Sequence, residues 1–184
     1  EKRPQNWGTW ATCSVIAVQK YLENSTGVER AATIFKGYLG DRSSYKGFIY
    51  GDLAWQASPS APVGINPAGA TKQGHSIDGV LPDDQRRSGG FKWPPPRENY
   101  CYEALQGVAG SAQMLARSGF DAWEWSNRAI LRAVQWLHAE CNFPAEGDDQ
   151  CTPWIINYVY KTQFPTIRPA RSGKCFVAFD WLFS

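Results

Sequence analysis

The chain has no apolar run approaching the roughly 18 residues that a membrane-spanning helix needs, which argues against a membrane role. It has no block of Lys and Arg either. Its 19 basic and 17 acidic residues are spread along 184 positions for a net charge of +2, so a dedicated nucleic-acid surface is not indicated. Glu1-Lys2-Arg3-Pro4 does not open a secretory signal, and the chain reads as soluble or as already processed. Histidine is scarce, His75 and His138 alone, and none of the five cysteines (Cys13, Cys101, Cys141, Cys151, Cys175) falls in Cys-x-x-Cys spacing. A zinc site is therefore not expected, and no motif calls for another metal or a cofactor.

What the chain has in quantity is aromatic rings, at 14% with nine Trp and eight Tyr. Carbohydrate clefts use such rings because a flat aromatic face stacks on the C–H face of a sugar; packing between helices is the competing use. With 43% hydrophobic residues the chain can bury a real core, and it reads as one domain over 1–184. Cys141 and Cys151 bracket a polar loop short enough to be stapled, so a Cys141–Cys151 disulfide is expected, with the odd cysteine free or paired to another chain. Asn24-Ser-Thr26 fits a glycosylation acceptor, in keeping with a secreted protein.

Periodicity is helical at the ends and lost in the middle. Thr9 can cap a helix from Trp10 to Leu22, with Ala11, Val15, Val18 and Leu22 on one apolar face. Thr26-Gly-Val-Glu29 reads as a capping box for a second helix through Phe35, stopped by Gly37 or Gly40, and the two form a hairpin. From Tyr45 to Pro96 prolines and glycines break every regular pattern, yet Ile49, Tyr50, Leu53, Trp55, Ile65, Ile77, Val80 and Leu81 recur along it. A loop of that length is expected to be laid on the domain as one wall of a cleft. A third helix carries Leu105, Val108, Ala109, Ala112, Leu115 and Ala116 on one face and closes at Gly119; a fourth carries Ala129, Ile130, Ala133, Val134 and Leu137. The tail from Cys175 to Phe183 is dense in β-formers, as a strand or a buried extended segment. The fold class expected is mainly α, built of antiparallel helical hairpins with a long irregular central loop and a short C-terminal extended segment.

Chemistry is expected where that loop runs into the third helix, since Asp78 to Tyr102 crowds arginines and tyrosines into a Gly/Pro-stiffened segment. Asn6-Trp-Gly-Thr-Trp10 opening a helix, Asp78-Gly-Val-Leu-Pro82 with Arg86 and Arg87, a Tyr-bearing helix, and Gly119-Phe-Asp-Ala-Trp123 follow in an order that resembles the alginate lyase superfamily. The resemblance runs from Asn6 to His138. It implies part of an (α/α) toroid and an enzyme that cuts uronic-acid polysaccharides by β-elimination.

Two departures stand out. Where that family has His beside Asn, this chain has Trp7, a vacancy His75 could fill from the loop. A full toroid also needs more hairpins, so the alternatives are a self-contained domain and the C-terminal portion of a larger toroid completed by a second chain.

β-Elimination needs a neutralised carboxylate, a base for the α proton and an acid for the leaving oxygen. An arginine fork with Asn6 suits the first, and a tyrosine beside a cation suits the others. The catalytic candidates are Asn6, His75, Arg87, Tyr100 and Tyr102. Because they are two positions apart on a helix, Tyr100 and Tyr102 point in different directions, and one of them is structural. Trp7, Trp10, Arg86, Trp93 and Arg97 are the candidates for binding an acidic polysaccharide. The rival reading is a non-catalytic sugar-binding toroid that has lost the catalytic histidine.

Overall fold

The computed structural model describes residues 2–166. Helices α1 (Asn6–Tyr21) and α2 (Ser25–Tyr38) form the expected hairpin, but on other capping chemistry. Thr9 lies inside α1, donating its hydroxyl to the Asn6 carbonyl at 2.8 Å. Asn24 caps α2 by accepting the Gly27 N–H at 3.1 Å, which leaves Thr26 inside the helix and the Thr26–Glu29 capping box unformed. Asparagine is among the strongest N-caps, and here it takes the orphan amide first.

Within the hairpin α2 buries its apolar residues, Val28, Ala31, Ala32 and Phe35, but α1 faces the other way from its apolar pattern. α1 buries Asn6, Thr9, Cys13 and Ile16, whereas Ala11, Val15, Val18 and Leu22 are exposed. The cause lies in helix α4 (Tyr100–Ala116), against which α1 packs. A Cβ on Gly107 would stand 2.7 Å from the backbone of Thr9 and Trp10, so the two helices touch nearly backbone to backbone and admit only small side chains at the crossing.

The long connection between α2 and α4 is laid on the domain. Trp55, Ile65, Ile77, Val80 and Leu81 are fully buried, while Ile49 remains 67% exposed. Three short elements interrupt it. Strands β1 (Thr71–Lys72) and β2 (His75–Ser76) pair antiparallel, with Lys72 opposite His75. Helix α3 (Pro82–Gln85) continues into a 3-10 turn over Arg86–Ser88. Pro82 at the first helical positions and Asp83 and Asp84 in the first turn form a start signal, set among so many other breakers that it reads as loop.

Helix α5 (Trp125–Ala139) fastens this connection down. Its Arg132 donates to the carbonyls of Asn66, Ser126 and Asn127, each at 2.9 Å, and pairs with Asp78. Gly79, at φ +82°, lies so close that a Cβ would stand 2.4 Å from the Arg132 backbone.

α4 is the central element, packing against α1, α5 and helix α6 (Thr152–Tyr160) with Leu105, Val108, Ala109, Ala112 and Leu115 wholly buried. α6 is not anticipated by the sequence reading, although Pro153 in its first turn and Ile155 and Ile156 on its buried side are ordinary signals. The protein is mainly helical among the described residues, and no described helix is long and apolar enough to cross a membrane. The tail from Cys175 to Phe183 lies outside the described residues.

The expected Cys141–Cys151 disulfide is not formed. Cys141 is a free, buried thiol that donates to the Pro96 carbonyl at 3.3 Å. Its side chain is turned into the core under the triple proline instead of across the polar loop, and burial pushes the thiol up to about 11.

Candidate active site

Three segments far apart in sequence meet at the first residue of α1. The Asn6 backbone N–H donates to Asp84 Oδ1 at 2.9 Å, its side-chain oxygen accepts from Arg87 at 3.3 Å, and its amide nitrogen donates to Glu103 Oε2 at 2.8 Å. Asp84 comes from α3, Arg87 from the 3-10 turn and Glu103 from the first turn of α4. The Arg87 guanidinium lies over the Tyr100 ring, 3.9 Å from its centre, so one exposed cation bridges asparagine and tyrosine.

The surrounding turn is held by its own polar side chains. Asp83 accepts the Gly51 N–H at 2.9 Å and Arg86 Nε at 2.8 Å. Gln85 donates to the Pro96 carbonyl at 2.8 Å and accepts from the Cys101 thiol at 3.3 Å. Glu98 accepts the Tyr100 N–H at 3.1 Å and the Ser88 hydroxyl, which joins the arginine turn to the start of α4. Of the two adjacent arginines, then, Arg86 is spent on Asp83, and that bond holds its guanidinium even more firmly charged; Arg87 faces the cluster.

Asp84 is the unusual member. Its carboxyl is completely buried, and loss of hydration pushes it up from 3.8 to about 8, against the pull of the Asn6 N–H and Arg87. Its second oxygen, Oδ2, is buried without a hydrogen-bond partner among the described residues.

The two tyrosines separate cleanly. Tyr100 is 36% exposed beside Arg87. Tyr102 is buried, packs edge-on against Phe143 and donates its hydroxyl to the Phe143 carbonyl at 2.7 Å; burial pushes the phenol well above its ordinary range. Its hydroxyl is committed to the core, and of the pair only Tyr100 stands in the cluster.

The remaining candidates make contacts of their own. His75, half-buried on β2, stacks on Trp93 with ring centres 4.3 Å apart and planes 8° apart. Among the described residues no hydrogen bond or ring contact joins it to Asn6, Arg87 or Tyr100. Trp7, next to Asn6, is 68% exposed, and Trp10 is half-buried. Arg97 is exposed, lying 3.9 Å from Glu146 and over the Phe143 ring.

Sequence reasoning missed Asp84, Glu98 and Glu103. The signal for the first was present: Asp83-Asp84-Gln85-Arg86-Arg87 sets each acid three residues before a base, a spacing that pairs side chains on a helical turn. Glu103 sits in the first turn of α4, where an acid is also favoured by the helix dipole, and that bland explanation hides its contact with Asn6. No group of His, Cys, Asp or Glu among the described residues is arranged to hold a metal ion. The chain matches no family model, no curated protein and no solved structure.

Proposed function

We propose that this protein is a polysaccharide lyase of the (α/α) toroid kind, cleaving a uronic-acid glycan such as alginate or glucuronan by β-elimination. The observation that carries the proposal is the position of Arg87, which donates to Asn6 and covers Tyr100 at once. A uronate whose carboxylate meets Arg87 and Asn6 would have its charge stabilised where it builds up as the α C–H is broken. Glu103 takes one of the two Asn6 amide hydrogens, so the substrate carboxylate in this reading takes the other beside Arg87.

In this scheme Tyr100, as the phenolate, takes the proton α to the carboxylate. The electron pair forms the new double bond, the β glycosidic C–O bond breaks, and the tyrosine returns the proton to the leaving oxygen. One side chain thus serves as base and acid, which dispenses with the histidine that Trp7 replaces. Trp7 and the His75–Trp93 stack supply aromatic faces for neighbouring sugars. Secretion and a second chain completing the toroid belong to the same proposal: the exposed apolar face of α1 is the kind of surface a further hairpin would cover.

Appearance of the ultraviolet-absorbing unsaturated uronate tests the reaction directly, with alginate, polymannuronate, glucuronan and a pectic acid as substrates. The expected result is product with the native chain and with Tyr102→Phe, and none with Tyr100→Phe or Arg87→Ala. Absence of product on every polymer would sink the lyase and favour the second reading, a non-catalytic sugar-binding toroid, which the exposure of Trp7 beside Asn6 supports.

A further inference from the structure

Asp84 does something that Asn6, Arg87 and Tyr100 do not. It lies beneath the cluster, out of reach of any glycan, and holds Asn6 by the backbone while Arg87 holds it by the side chain. Asn6 is therefore clamped between an acid and a base three residues apart on one turn.

We infer that Asp84 is a positioning residue with two states, and that loss of its proton weakens the grip of the Asn6–Arg87 pair on an anionic ligand. This inference rests on the carboxylate-binding reading above and extends it to regulation of the same site. The groups around Asp84 come from every element packed on it. Asp83 shares its turn, Glu98 precedes α4, Cys101 lies on α4, Tyr38 on α2, and Arg87 is the cation.

Around neutrality the carboxyl is neutral, and it can remain so only because it is dry and because its neighbours Asp83 and Glu98 oppose a further negative charge. Arg87 then directs its charge outward, to solvent or ligand. Ionisation places a carboxylate behind the same guanidinium and compensates that charge from within. It also leaves a buried charge with one oxygen unbonded, and Arg87, already the cation that favours the charged form, is the neighbour such a charge attracts. By linkage, if ionisation weakens the ligand, the ligand must raise the pKa of Asp84 by the same factor.

The test uses the full chain carrying Tyr100→Phe, so that nothing is cleaved, and a mannuronate trisaccharide as the probe. Its Kd is measured from neutrality to above the Asp84 pKa of about 8, with Asp84→Asn compared alongside. Asparagine keeps the oxygen that accepts the Asn6 N–H and mimics the neutral acid. The expected result is a Kd that weakens about five- to tenfold through the titration, as suits one buried charge beside one guanidinium, and a pH-independent Kd in Asp84→Asn. Carboxyl carbon NMR of the chain with its native Asp84, with and without the trisaccharide, reads the same coupling without the Asn variant, as an upward shift of the Asp84 titration on binding.

A Kd that ignores pH, an Asp84→Asn chain that weakens like its parent, or an Asp84 titrating in the ordinary carboxylate range would each overturn the inference and leave the proposed function standing. No binding at any pH, with the carboxyl titrating near 8, would overturn the carboxylate-binding reading and the inference with it.

Discussion

Helices α1 and α4 have comparable apolar stripes, and the protein uses them in opposite senses. In α4 the stripe through Leu105, Val108, Ala112 and Leu115 is wholly buried, as its spacing predicts. In α1 the stripe through Ala11, Val15, Val18 and Leu22 faces out, and the helix turns Asn6, Thr9, Cys13 and Ile16 inward. The difference goes with the close backbone approach at Gly107, where a Cβ would stand 2.7 Å from the backbone of Thr9 and Trp10. α4 buries its stripe, whereas α1 turns inward a polar face whose first residue, Asn6, bonds Asp84, Arg87 and Glu103. In that orientation Val15, Val18 and Leu22 are left exposed.

Cavity formation should break the α4 half of this comparison most severely. Leu105→Ala is expected to cost about 2–5 kcal/mol in urea unfolding, the range for a fully buried leucine. Next in size is the titration of Asp84. Its carboxyl is raised from 3.8 to about 8 in the folded chain, so between those values the unfolded state has released a proton that the folded state retains. The contribution of this group therefore falls as pH rises through that window and stays low above it, because the proton favours the folded state. Unfolding midpoints across the window should show the decline in the native chain, and Asp84→Asn should flatten it and be the more stable protein at its alkaline end.

Gly107→Ala tests the crossing itself. A methyl 2.7 Å from the Thr9 and Trp10 backbone forces the helices apart, at about 1–3 kcal/mol for an overpacked contact. Because the shift would carry Asn6 away from Arg87, the lyase activity proposed above should fall further than the stability loss accounts for. Retained activity would show that the close approach serves packing alone.

How much of this was legible in the residues depends on whether periodicity or a single contact decides. The existence of the helices and the core face of α4 follow from apolar spacing, and the burial of Trp55, Ile65, Val80 and Leu81 from their apolar character in a loop too long to lie free, although Ile49 in the same loop is exposed. The convergence of Asn6, Arg87 and Tyr100 was anticipated only as a set of candidates; that Arg86 would be taken by Asp83, leaving Arg87 free to reach Asn6, depends on which side of one short turn faces α1. The direction of α1 was hidden for the same reason, since Gly107 reads as a mild helix weakener until its neighbour is known. The Cys141–Cys151 expectation failed because loop length bounds what a disulfide can span but says nothing of where a thiol points.

Tyr102 and Tyr100 extend the comparison to side chains two positions apart. Removing the Tyr102 hydroxyl orphans the buried Phe143 carbonyl, and Tyr102→Phe should lose about 1–3 kcal/mol of stability while leaving the pH profile of activity unchanged. Tyr100→Phe, at a half-exposed ring, should change stability by no more than about 0.5 kcal/mol while abolishing the proposed activity.

The smallest effect expected is on the outer face of α1, and it bears on the proposal that a further hairpin covers that face. Val18 is 52% exposed and Val15 45%, so Val18→Ser and Val15→Ser should change unfolding free energy by no more than about 0.5 kcal/mol in this chain alone. In the proposed toroid, with a further hairpin laid on α1, the same substitutions should cost several times more, because there the stripe would be core. Equal and negligible effects in both settings would mean that α1 sheds its apolar face to water for the sake of Asn6, and that no further hairpin lies against it.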